Sequence, residues 1–230
     1  VADGGSGDDT MTMGGGNDTA YGKAGNDKAV LGGGNDKAWG DEGNDNLNGG
    51  GGADVVYGGL GEDFLSTGEG DDTLYGDDGN DTLKAIGGND KVYGGAGDDV
   101  QLQGGDGNDY VEGGDGKDDH DGGAGNDELM DGPGDDHLSA DEGDDIVHVK
   151  EGVDDAYGEP GGDTMYVTND GQKDQVYCAS SAYPRGEPGD KLVIVGGRDT
   201  EDHINYCPAP RFMSVKTYRV VVRAARLAVR

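Results

Sequence analysis

The chain has 230 residues, 50 of them Gly, and only 31% are hydrophobic, with two Phe and one Trp, which excludes a conventional thick apolar core. Acidic residues outnumber basic ones by 49 to 17, a formal charge of −32 that repels itself in any compact state and disfavours nucleic acid, whose phosphates would meet like charge. Composition alone points to disorder, and the placement of the carboxylates decides against it.

From the N-terminus, Asp recurs every nine residues at Asp9, Asp18, Asp27, Asp36, Asp45, Asp54, Asp63, Asp72, Asp81, Asp90 and Asp99. The period resumes one residue late at Asp109 and continues through Asp118, Asp127, Asp136, Asp145, Asp154 and Asp163, so that 18 repeats share one frame with a single insertion. Two positions before each Asp stands a Gly, and two positions after it usually an aliphatic residue, as at Met11, Leu47, Val56, Leu65, Leu74, Val92 and Leu129. Ala20, Ala29 and Ala38 make the first part of that apolar column thin, and Gln101 and His120 interrupt it with polar groups.

A unit such as GGAGDDVQL, residues 94–102, reads as a glycine turn followed by a short strand. Side chains alternate across a strand, so the middle residue points inward and its neighbours face water. Two repeats then make one coil of 18 residues, and stacked coils bury a narrow apolar column that no single repeat could bury. Asp9, Asp27, Asp45, Asp63, Asp81 and Asp99 would stack along one edge, and Asp18, Asp36, Asp54, Asp72 and Asp90 along the other. Carboxylates about 4.8 Å apart demand cations between them. Calcium, a hard ion taking oxygen ligands from carboxylates and turn carbonyls, fits a pattern without His or Cys.

The units GGSGDDTMT, GGAGDDVQL, GGDGNDYVE and GGAGNDELM resemble the RTX, or hemolysin-type, calcium-binding nonapeptide over roughly residues 4–166. The resemblance implies an all-β, right-handed parallel β-roll over residues 1–166, with each calcium held between neighbouring turns by Asp carboxylates and backbone carbonyls. Pairing each Asp with the one two repeats later, within each block, predicts about 14 calcium ions. The unit VKEGVD, residues 149–154, lacks the leading Gly pair, so a weak site is expected at Asp154. The insertion before Asp109 is expected to be a bulge that turns Leu102 inward in place of Gln101.

After Asp163 the frame decays, since Asp174 follows 11 residues later behind Gln172 instead of Gly. Residues 167–207, with the strand-like runs MYV, QVY and KLVIV, are expected to form a small C-terminal cap. Cys178 and Cys207 are candidates for one disulfide, two free buried thiols being the alternative. Residues 208–230 form a basic tail that docks on the acidic roll, meets an anionic surface or stays disordered. The first residues, from Val1, carry neither the charged n-region nor the apolar h-region of a secretory leader, so a leader is absent, removed or never encoded here. No run is long enough to span a membrane.

No catalytic constellation is found: HExxH, GxSxG and GxxxxGK[ST] are all missing, and the His residues are scattered. The segment Lys117 to Glu128 imitates an EF-hand loop but has Lys117 at the first ligand position. Tyr21, Trp39, Tyr57, Tyr75 and Tyr93 recur every 18 residues and predict an outward aromatic ladder, read as mutual stacking or as a platform for a glycan or cell-surface partner. The sequence thus predicts a secreted, extracellular calcium-folded module and no enzyme. The rival readings are the C-terminal part of a secreted hydrolase or toxin, and an adhesin.

Overall fold

A computed structural model describes residues 1–168, 170–178, 190–195 and 203–205. Among the described residues 22 strands, from Ala2–Ser6 to His203–Asn205, alternate between two 11-stranded sheets, odd-numbered strands in one and even-numbered strands in the other. Every pairing is parallel and joins residues one coil apart, as Met11 opposite Ala29 and Leu47 opposite Leu65. No helix occurs among the described residues, and none is long and apolar enough to cross a membrane. The architecture is the expected parallel β-roll.

The strand Lys91–Ala96 shows why the repeat folds this way: Val92 and Gly94 are buried while Lys91 and Ala96 face water. Stacking that pattern builds an interior column in which Leu47, Leu65, Leu74, Leu83, Val92 and Leu102 are fully buried. Each such side chain contributes roughly 1.5–3 kcal/mol relative to exposure, and the stretch of Ala20, Ala29 and Ala38 correspondingly less. Turns stack on turns as closely as strands on strands. Gly125 has φ +137°, and a Cβ there would overlap the carbonyl of Gly107 in the coil beneath, so both dihedral and spacing require glycine.

The inserted residue is a bulge. Thr82 pairs with Val100 but Lys84 pairs with Gln103, Gln101 takes φ +55° and is exposed, and Leu102 is fully buried. The next coil stacks on without a break, Leu102 opposite His120. His120 occupies the interior column itself, fully buried between Leu102 and Leu138. Its Nδ1 lies 3.3 Å from the carbonyl oxygen of His137, which requires the proton on Nδ1, and Nε2 has no partner. Burial lowers its pKa to about 4, so the ring is neutral at pH 7.

The aromatic residues do form a ladder on one sheet. Tyr21, Trp39, Tyr57, Tyr75 and Tyr93 stack with centroids 4.8 to 5.4 Å apart and planes within 16° of parallel. Lys23 Nζ lies 4.9 Å from the ring centroid of Tyr21 at one end, and Tyr110 tilts by 49° against Tyr93 at the other.

Beyond residue 166, the strands Gln175–Tyr177, Lys191–Val195 and His203–Asn205 extend the same two sheets. Cys178 is fully buried beside Gln175–Tyr177. Cys207, and with it the disulfide candidate, lies outside the described residues, as does the basic tail.

Candidate metal centre

The repeat Asp residues form the two edge columns that the 18-residue coil requires. Asp9 and Asp18, at the N-terminal end, are partly exposed, whereas every repeat Asp from Asp27 to Asp163 is buried. In each column a carboxylate Oδ1 accepts the backbone N–H of the Asp one coil earlier. Asp27 accepts from Asp9, Asp63 from Asp45 and Asp81 from Asp63, each at 2.7 Å. The columns cross the insertion unbroken, with Asp109 accepting from Asp90 at 2.7 Å and Asp118 from Asp99 at 2.9 Å.

The second oxygen is different. Oδ2 of Asp9, and of every repeat Asp from Asp27 to Asp163, is buried without any hydrogen-bond partner. Bare buried carboxylate oxygens in a row are too costly to persist unneutralised. The leading Gly of the turn keeps space open around them. A Cβ at Gly22 would sit 2.5 Å from Asp27 Oδ2 and 2.7 Å from the Gly40 carbonyl oxygen. At Gly104 it would sit 2.6 Å from Asp109 Oδ2 and 2.7 Å from the Gly122 carbonyl oxygen. These two cradles gather carboxylate and carbonyl oxygens, the donor set of a hard cation such as calcium, whereas at Gly113 a Cβ would meet His120 Nε2 at 2.6 Å as well as Asp118 Oδ2.

Electrostatics agree. Burial, reinforced by like-charged neighbours in the same column, pushes the pKa of Asp63, Asp90 and Asp99 up to about 7 and that of Asp163 to about 8. The backbone N–H that each Oδ1 accepts acts in the opposite direction and does not offset the burial. A divalent ion in the cradle would restore the charged form.

Two features escaped the sequence reading. The residue before each repeat Asp is often Asn or Asp, and its side chain accepts the backbone N–H one coil later: Asn35 N–H donates to Asn17 Oδ1 at 3.0 Å and Asn44 N–H to Asn26 Oδ1 at 2.9 Å. This outer ladder runs opposite in direction to the inner Asp ladder, and the same nine-residue period signalled it. Asp174 also belongs to a column, being buried and accepting the Asp154 N–H at 3.2 Å. Its signal was the pattern of Asp followed two places on by a buried aliphatic residue, Val176, which outlasts the loss of the Gly.

The turn at Asp154, where the missing Gly pair argued for a weak site, is where three buried carboxylates converge. One oxygen each from Asp131, Asp136 and Asp154 lies within 4.8 Å of the other two. The EF-hand imitation from Lys117 to Glu128 instead spans one strand, Asp119–Ala124, and places Asp118 and Asp127 in opposite columns.

Comparison with known proteins agrees with this geometry. The model of the RTX calcium-binding nonapeptide repeat (4 copies) matches residues 1–29, 30–65, 66–100, 101–129, 121–156 and 130–165. No curated protein matches the chain. With a repeat match over more than half its length, a parallel roll and two columns of buried carboxylates, the chain belongs to the RTX calcium-binding nonapeptide repeat family.

Proposed function

We propose that calcium ions fill the gaps along both Asp columns and that their binding drives the folding of a secreted, extracellular β-roll. The unbroken series of partnerless Oδ2 atoms carries this reading. Two columns of nine repeat Asp leave eight gaps in each, about 16 in all, because the ladders pass through the insertion. That many divalent ions would carry roughly +32, which offsets the formal charge of −32. At low cytosolic calcium the chain stays unfolded and exportable, and it folds once outside the cell. The role is that of a structural calcium-binding module.

Each Asp lines the gap above and the gap below, so Asp63→Ala should remove about two ions per chain and weaken binding along that edge. Calcium stoichiometry by calorimetry, with equimolar magnesium as control, tests this. Unchanged stoichiometry in Asp63→Ala, or no calcium bound by the native chain, would refute the assignment.

A glycan or cell-surface partner on the aromatic ladder has less support. Rings about 5 Å apart and nearly parallel spend their faces on each other and leave edges to solvent, whereas a sugar ring stacks on an aromatic face. The ladder is therefore read as structural. Replacing Trp39 and Tyr57 together with Thr should cost about 1–3 kcal/mol of stability in saturating calcium, from three lost stacking contacts. A thermal melt measures that cost, and loss of retention on a glycan array by the folded variant would restore the adhesive reading.

A further inference from the structure

At the position five residues before each repeat Asp, this chain carries Gly or an uncharged residue in every repeat but one. Gly22, Gly40, Gly58 and Gly104 line their cradles there, and Thr67, Ala85 and Val149 turn buried side chains inward. In the repeat of Asp136 that position is Asp131. Its carboxylate therefore enters the space that glycine elsewhere leaves for the ion. Asp131, Asp136 and Asp154 are 1%, 2% and 0% exposed, and Asp131 Oδ1, Asp136 Oδ2 and Asp154 Oδ2 have no hydrogen-bond partner. Asp131 is held in place by its other oxygen, which accepts the Lys150 N–H at 2.8 Å, while its backbone carbonyl oxygen accepts from Lys150 Nζ at 3.2 Å.

We propose that Asp131, Asp136 and Asp154 form a three-carboxylate cation site, taking calcium, that binds more tightly than the two-carboxylate gaps elsewhere in the columns. The proposal rests on the calcium reading of those columns and adds a ligand at a position outside the nonapeptide pattern. The Lys150 ammonium, near the Asp131 carbonyl, does not fill the site, because all three oxygens remain without a hydrogen-bond donor. A third anionic oxygen raises affinity for a hard cation and raises it most for a trivalent one.

The test uses the full chain folded in saturating calcium, so that folding and binding are separated. Terbium is titrated from below one equivalent to several equivalents, and bound metal is followed by direct excitation, the luminescence lifetime giving the number of coordinated waters. In the native chain the first equivalent should bind at least about tenfold more tightly than those that follow. Asp131→Asn, which reproduces the shape of a protonated Asp131, should lose that first step. Asp131→Gly, which restores the glycine of the neighbouring repeats, should lose it too and serves if the Asn variant does not fold. A first step that survives in both variants, or is missing from the native chain while calcium still binds, overturns the three-carboxylate site alone. A native chain that binds no calcium would instead remove the reading on which it rests.

Discussion

In excess chelator at pH 7.5 the chain is expected to be a coil, and calcium added back should produce the β-roll in one cooperative transition seen by far-UV circular dichroism. The size of the effect follows from the buried Oδ2 series. Leaving an ionised carboxylate oxygen buried and unpaired costs several kcal/mol, and here the cost recurs at each repeat Asp from Asp27 to Asp163. A folded domain has only about 5–15 kcal/mol of net stability to set against it. The apolar interior is narrow and in places only Ala, so it cannot compensate. Magnesium should produce little response, because it demands octahedral geometry and keeps its waters. A chain that keeps its β signal in excess chelator at this pH would show that calcium is not what holds the roll.

Acidity should act on the metal-free and calcium-loaded chains in opposite directions. Without metal, burial raises the folded-state pKa of Asp63 and Asp99 to about 7 and of Asp163 to about 8, above the unfolded value near 4. Groups raised in this way favour the fold fully below about pH 4, and that contribution is lost as the pH climbs through 6 to 8. His120 has the opposite sign. Its folded pKa of about 4 lies below the unfolded 6.5, so its contribution is present above pH 6.5 and lost on acidification. One imidazole is outweighed by a whole series of carboxylates. The metal-free chain should therefore gain β structure as the pH falls from 8 towards 4. With calcium bound, protons compete with the ion, so the loaded roll should be most stable near pH 8 and release calcium as the pH falls. Circular dichroism across pH 4–8, with chelator and with calcium, distinguishes these slopes, and parallel slopes would contradict the assignment of the buried carboxylates as ion ligands.

Much of this molecule was legible in the sequence because, in a solenoid, tertiary neighbours are set by the repeat. Within the repeats up to Asp163, partners in adjacent coils are 18 or 19 positions apart, so the period itself supplies the register there, whereas beyond them Thr164 pairs with Lys191 and Gln175 with His203. Hence the two sheets, the interior column, the two Asp columns, the aromatic ladder and the inward turn of Leu102 at the bulge all followed from spacing. Spacing could not say how a side chain divides its two oxygens. Only the stacked turns show Oδ1 spent on a backbone N–H and Oδ2 left bare, and only they show the outer Asn and Asp ladder running in the other direction. The faces of Trp39 and Tyr57 were likewise undecidable until the rings were seen stacked on one another. Where the nonapeptide pattern fails, the fold still decides. Asp174 keeps its column because the strand after it buries Val176, and Asp131 enters the interior because the turn before Asp136 aims that position inward, as it does Thr67 and Val149. The period determined which residues are neighbours, and the turn dihedrals and close coil stacking decided which of their atoms meet.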